Sequence, residues 1–192
     1  SGIKNIYQYP LFKKTNQHIT DAAKEFIKKN IDETVNEDPE IEIINKVTNK
    51  INIDSKTTNI LLGVGGSGPT KRIPSKTFIK IINEVSKKKN CNFYLATGKN
   101  NEEQIILKDI LQSKFGKSCV PLDNLSIREI LPIIKNCHIS VCNDSSFSHL
   151  SAAIGIKTIT LMADTPLIYG NYNSKMYPII PDGLKTVNHK TL

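Results

Sequence analysis

The chain has 192 residues, 39% of them hydrophobic, enough for one domain with a substantial core and an appendage but not for two full domains. No apolar run approaches the ~20 residues that span a bilayer, and the amino-terminal stretch lacks the regions of a signal peptide, so a cytoplasmic location is expected. The 26 Lys and Arg against 18 Asp and Glu leave a net charge of +8, which suits an anionic partner, but with 6% aromatic residues and none interleaved with the basic runs, nucleic acid is disfavoured.

Ser1 to Phe12 reads as irregular, and a chain that opens without Met is expected to be a piece of a longer protein. A helix begins at Thr20 or Asp21, either of which can cap it, with Ala22, Ala23, Phe26, Ile27 and Ile31 on one face. Asn36 to Pro39 breaks it. From Ile41 to Ile53 the pattern is ambiguous: Ile41 and Ile43 alternate like a strand, whereas Ile44 and Val47 have helical spacing. Asn59 to Val64 is a continuous apolar run of the length of a strand buried on both faces, which predicts a parallel sheet.

Strand and helix then alternate. Helices are predicted from Pro74 to Lys88, Glu102 to Ser113, Ile127 to Lys135 and Phe147 to Ile154, with strands from Asn92 to Thr97, Ser118 to Leu122, Ile139 to Cys142 and Lys157 to Met162. This is a doubly wound, mainly parallel Rossmann-like α/β pattern with helices on both faces. Its ligands belong beyond the carboxyl ends of the strands, where residues 65–72, 98–103, 122–126 and 143–148 gather. Cys91, Cys119, Cys137 and Cys142 lie singly in or beside apolar runs without C-x-x-C pairing and read as reduced core thiols. Lys28-Lys29 and Lys87-Lys88-Lys89 fall at helix ends, where they complement the dipole as solvated charge. Ala163 to Leu192 is a tail of undefined form.

Two stretches carry chemistry. Gly63-Val-Gly-Gly-Ser-Gly68 satisfies G-x-G-x-x-G after a strand, but Pro69 to Pro74 keep the next helix from starting at the third glycine, and the following strand does not end in an acidic residue. Both features argue against a dinucleotide fingerprint, and Arg72 in place of Ser or Thr excludes a Walker loop. What remains is a glycine loop that lets backbone approach a ligand, followed by Thr70, Lys71 and Arg72, all able to donate to phosphate. The second stretch, Asn143-Asp-Ser-Ser-Phe-Ser-His149, launches a helix from the end of a strand, with unpaired N–H groups and the positive dipole end facing outward. Gly155 stops that helix. Asp144 is either its cap or, since it would repel a phosphate held there, a partner for hydroxyls on the uncharged part of the ligand, which describes a sugar. His149 lies near enough to reach the same pocket.

Gly65-Gly-Ser-Gly-Pro-Thr-Lys-Arg-Ile-Pro74, Thr97-Gly-Lys-Asn-Asn-Glu-Glu103, Leu125-Ser-Ile-Arg-Glu-Ile130 and Asn143-Asp-Ser-Ser-Phe-Ser-His-Leu-Ser-Ala-Ala-Ile-Gly155 together resemble the carboxyl-terminal, donor-binding domain of the bacterial lipopolysaccharide heptosyltransferases, glycosyltransferase family nine, with a GT-B fold. The resemblance divides the chain into 1–38, a connector and terminal helix of an amino-terminal domain; 39–166, the donor-binding domain; and 167–192, a tail. It implies an inverting, metal-independent transfer of a heptose-like sugar from a nucleotide-diphosphate sugar such as ADP-heptose, with no cofactor, to a lipopolysaccharide core acceptor.

Carried onto this sequence, the resemblance assigns the donor diphosphate to Ser67, Thr70, Lys71, Ser145 and Ser146, the ribose to Glu102, the base to Leu125, and the transferred sugar to Asp144 and His149. The catalytic base belongs to the amino-terminal domain, so this stretch alone is expected to bind donor weakly and transfer nothing. Three positions depart from the family pattern: Ser146 replaces glycine, Ala163 replaces glycine or proline, and Ile73 replaces an aromatic. Peripheral contact with anionic membrane fits the charge. The alternatives are a noncatalytic nucleotide or anion-binding module and a nucleotide-sugar epimerase-like domain. Lys71, as an exposed loop residue, is expected to contribute little to folding.

Overall fold

The computed structural model describes residues 6–7, 17–35, 40–43 and 51–185. The expected break at 36–39 and the helical spacing of Ile44 and Val47 lie outside them, as do most of residues 1–12 and the end of the tail. Helix α1 spans Ile19–Asn30, and its Ala22 is buried. Neither Thr20 nor Asp21 caps it: the cap position is His18, whose Nδ1 lies 3.1 Å from the carbonyl of Ile168.

The main body is a six-stranded sheet in the order β3-β2-β1-β4-β5-β6, with β1 at Thr58–Gly63, β2 at Cys91–Ala96, β3 at Cys119–Pro121, β4 at Ile139–Asn143, β5 at Thr158–Leu161 and β6 at Met176–Ile179. Every pairing is parallel. Helices α2 (Ser75–Ser86), α3 (Asn101–Gln112), α4 (Ile127–Lys135) and α5 (Ser146–Ala153) connect the first five strands. The last strand, β6, is one the sequence pattern does not reveal. It is an edge strand with Pro178 inside it, and the exposed Tyr177 and Ile179 blur its periodicity.

Successive residues of β1 point to opposite faces, and each face has its own core. Ile60, Leu62 and Val64 pack with Phe93 and Leu95 beneath α2 and α3, where Phe78, Ile82, Leu107 and Ile110 cover them. Leu61 packs with Tyr94 and Ala96 on the other face, covered by Ile130, Ile133 and Ile134 of α4 and Phe147 and Ile154 after α5 begins. Burial on both faces is why the strands read as unbroken apolar runs. Ile41, Ile43, Ile51 and Ile53 pack against this second core, and the Ile41 N–H donates to the Ala153 carbonyl at 2.9 Å.

All four cysteines are buried free thiols, and burial pushes Cys137 and Cys142 up to about 12. Helix α5 ends as its sequence demands: Gly155 has φ +90°, the Gly155 N–H bonds Ala152 and the Ile156 N–H bonds Ser151, a Schellman arrangement that only a residue tolerant of left-handed backbone closes without strain. No described helix is long and apolar enough to cross a membrane.

Candidate functional site

The chain runs from β1 through β2 to β3 on one side, then crosses to β4 on the other, so the order of strand addition reverses between β1 and β4. At the carboxyl ends of these strands lies an open cleft of about 440 Å³. Gly65, Gly66 and Ser67 form one side, Ser145 and Ser146 the other, and Leu125, Ile127 and Ile130 give it an apolar end. The Asn143 amide joins the two sides from below, donating to the carbonyls of Val64 at 3.0 Å and Gly65 at 3.2 Å.

No side chain caps the start of α5. Its cap residue is Ser145 rather than Asp144, its backbone there is extended, and the Ser145 hydroxyl is buried without a partner. The first N–H groups of an uncapped helix attract an anion, and here they border the cleft.

The glycines opposite are explained by Glu103. Its carboxylate, 5% exposed, accepts from the Gly66 N–H at 3.1 Å, the Thr97 hydroxyl at 3.0 Å and the Gly98 N–H. A Cβ on Gly65 or Gly98 would come within 2.6 or 2.5 Å of that carboxylate, and one on Gly66 within 2.9 Å of the Lys71 carbonyl, whereas one on Gly68 would meet nothing within 4 Å. The third glycine of the apparent fingerprint therefore has no packing role. Burial pushes the Glu103 carboxyl up, but its contacts with Asn100, Gly98, Gly66 and Thr97 outweigh that and hold it below the ordinary Glu value, ionised.

Beside the cleft, at the foot of α5, stands a second carboxylate. Asp144, also 5% exposed, accepts from Lys71 Nζ at 2.8 Å, and its Oδ1 lies 3.9 Å from Nε2 of His149. Nδ1 of His149 is 2.6 Å from the hydroxyl of Tyr172. Burial lowers the His149 pKa, Asp144 opposes this and Lys71 adds to it, so the net shift is downward and the imidazole is neutral at pH 7.

Of the residues singled out in the sequence, Ser67, Leu125, Ser145 and Ser146 line the cleft, and Lys71, Asp144 and His149 form the adjoining polar cluster. Thr70 and Arg72 are turned elsewhere, the Thr70 hydroxyl donating to Asp164 and the Arg72 guanidinium to the Gly66 carbonyl at 3.2 Å. Glu102 is exposed on the first turn of α3, and its neighbour Glu103 is the one that lines the cleft. Lys71 is 26% exposed and paired to a buried carboxylate, so it is not the exposed loop residue on which the expectation of a small folding role rests.

Glu103, Asp123 and Tyr172 were not foreseen as site residues. For Glu103 a signal existed: Asn100-x-x-Glu103 has the spacing of a capping box, and Asn100 does accept from the Glu103 N–H at 2.9 Å. For Asp123, which lines the cleft, and Tyr172 the local sequence holds none. Among the described residues no group of three or more His, Cys, Asp or Glu side chains is placed to hold a metal ion.

The parallel order 3-2-1-4-5-6 with a cleft at its switch point defines a Rossmann-like α/β domain. Residues 11–179 match the model of glycosyltransferase family 9 (heptosyltransferase), and the chain belongs to that family. It is 25% identical over 154 residues to lipopolysaccharide heptosyltransferase 1 of Campylobacter coli, a match that covers 76% of this chain and 43% of that protein. Its fold is similar to that of E. coli heptosyltransferase WaaC with ADP, at a TM-score of 0.71 and 15% identity over 88% of this chain and 52% of that one. A family 9 glycosyltransferase from Veillonella parvula is similar too, at a TM-score of 0.66 and 15% identity over 88% and 49% of the two chains. The chain thus spans about half the length of the relatives it matches.

Proposed function

We propose that this chain is the donor-binding part of an inverting, metal-independent glycosyltransferase that moves a heptose-like sugar from a nucleotide-diphosphate sugar, such as ADP-heptose, to a lipopolysaccharide core acceptor. The observation that carries the reading is the cleft itself, bounded by a glycine loop on one side and an uncapped helix start on the other. The solved structures of E. coli heptosyltransferase WaaC with ADP and with ADP-2-deoxy-2-fluoro heptose support the donor class.

In this reading the diphosphate lies between Ser67 and the N–H groups of Ser145 and Ser146, with Lys71 at its flank. An ammonium has three donors, so Lys71 serves the diphosphate while it keeps one bond to Asp144. The base rests on the apolar end formed by Leu125 and Ile127, and Glu102, exposed on the first turn of α3, takes the ribose hydroxyls. Asp144 and His149 face the sugar. As the sugar–phosphate bond breaks, negative charge grows on the departing diphosphate, and the fixed amides and Lys71 offset it where they already stand. The catalytic base and the acceptor site belong to a partner domain, of which residues 1–38 supply the connector and final helix. Without it the fragment transfers nothing. The +8 charge favours peripheral contact with the anionic membrane that carries the acceptor.

Calorimetric titration of the chain with ADP and AMP, each with Mg²⁺ and with EDTA, tests this reading. ADP is expected to bind equally with and without metal, and ~10-fold or more tighter than AMP, the equivalent of one lost charge-assisted contact. Equal affinity for AMP, or binding that vanishes in EDTA, would contradict it.

A further inference from the structure

Tyr172 lies in the segment between β5 and β6, well outside the motifs that mark the cleft. Its ring nevertheless stacks on His149, with centroids 5.5 Å apart and planes at 15°, and its hydroxyl is 2.6 Å from Nδ1. We propose that Tyr172 is a positioning residue that fixes His149 as the Nε2–H tautomer, so that the pocket beside Asp144 offers a sugar hydroxyl one carboxylate acceptor and one uncharged donor in fixed orientation. This rests on the donor-site reading above for the sugar, but not for the tautomer.

The tautomer follows from what faces each nitrogen. A neutral imidazole has one N–H and one lone pair, and the partners decide which nitrogen holds the proton. Nε2 lies 3.9 Å from Asp144 Oδ1, and an ionised carboxylate is acceptor-only. A lone pair on Nε2 would be repelled there, so Nε2 carries the hydrogen. Nδ1 is then the acceptor, and the Tyr172 hydroxyl is its donor. Burial, followed by the Asp144 carboxylate, raises the Tyr172 pKa, which keeps that proton on the phenol.

Three groups face His149: Tyr172 from the segment after β5, Asp144 from the turn before α5, and Lys71 from the loop after β1. Asp144 favours the imidazolium, whereas Lys71 and burial oppose it. A donor to Nδ1 also opposes it, because the lone pair it binds exists only in the neutral ring. The gap from Nε2 to Asp144 is too long for a direct hydrogen bond. A sugar hydroxyl that accepts from Nε2–H and donates to Asp144 Oδ1 bridges the two, and a substrate lacking that hydroxyl leaves Nε2–H and Oδ1 without that partner while Oδ2 keeps Lys71.

The test is nitrogen-resolved NMR of the His149 ring across pH, in the unmodified chain and in Tyr172→Phe. The unmodified chain is expected to show a protonated Nε2, an unprotonated Nδ1 with a well-separated resonance, and titration below the ordinary His value. In Tyr172→Phe the ring still stacks but the donor is gone, so the midpoint moves up and the two nitrogen resonances draw together as the tautomers average. A protonated Nδ1 in the unmodified chain overturns the proposal whether or not the variant folds, and so does an unchanged His149 in a folded variant. In parallel, Tyr172→Phe should weaken an ADP-sugar ~3–10-fold more than it weakens ADP, the share of one hydrogen bond. Equal weakening of both would remove Tyr172 from the sugar subsite. If neither ligand binds the unmodified chain, the donor reading fails while the ring spectrum still decides the tautomer.

Discussion

Glu103 and Asp144 are carboxylates of equal burial, each 5% exposed, one carried by the helix after β2 and the other by the turn after β4. Their partners differ in kind. Glu103 is held by the backbone N–H groups of Gly66 and Gly98 and by the Thr97 hydroxyl, groups whose positions the sheet fixes. Asp144 is held by Lys71, a flexible and partly exposed side chain, with a neutral His149 at a distance. The first arrangement has no slack and shapes the glycine loop from behind. The second can open, and its partners can be shared with a ligand. Equal burial is therefore reached in two ways, by backbone and hydroxyl donors on one side of the switch point and by a long side chain on the other.

Replacing the brace should give the largest effect. In Glu103→Gln an amide NH₂ must face N–H donors, leaving buried groups unpaired, and a loss of about 2–4 kcal/mol is expected. For a domain of this size that lowers the melting temperature by roughly 2–4 °C per kcal/mol. The same variant tests the pH dependence. The folded-state value of Glu103 is depressed, so its contribution is complete above the ordinary value of 4.5 and is lost as pH falls through the lowered one. Denaturation midpoints measured from pH 7 downward should therefore fall more steeply in the unmodified chain than in Glu103→Gln. Parallel curves would mean that Glu103 is not the ionised brace.

Lys71→Ala comes next and separates stability from binding. Stripping the cation leaves Asp144 buried and unpaired, at an expected cost of about 1–2 kcal/mol after allowance for the solvent that reaches Lys71. Affinity for ADP should fall ~10–100-fold. Adding Asp144→Asn should restore most of the stability, by thermal denaturation, and none of the affinity, by calorimetry. Recovery of both would make the pair structural only, which would erase the contrast with Glu103.

A pair of alanine variants distinguishes glycines that look alike in the sequence, and the second of them gives the smallest effect. Gly98→Ala puts a methyl group into the Glu103 carboxylate and should cost about 1–3 kcal/mol. Gly68→Ala meets open space and should stay within about 0.5 kcal/mol. Thermal denaturation of the two variants reads the difference directly.

The first five strands of the sheet were legible because strands buried on both faces and helices of 3.6 period leave separate signatures. The predicted bounds of α4, Ile127 to Lys135, coincide with those observed, helped by Ser126 and Glu129, whose carboxylate accepts from the Ser126 N–H at 2.8 Å. The two loops of the cleft were legible for a similar reason, since a glycine loop and a Ser-rich helix start each have a local physical meaning. Glu103 and Tyr172 were obscured because their roles depend on partners that folding supplies. Glu102 and Glu103 are chemically identical, and only the register of α3 decides which one turns inward. Tyr172 meets His149 across 23 residues of chain, a contact that no local pattern encodes.

The central claim is that the loop after β1 and the start of α5 grip one diphosphate together. Backbone amide shifts followed during an ADP titration test it most directly. The account predicts that Ser67, Lys71, Ser145 and Ser146 shift together along a single binding curve. Shifts confined to one of the two segments, or two curves with different midpoints, would contradict it.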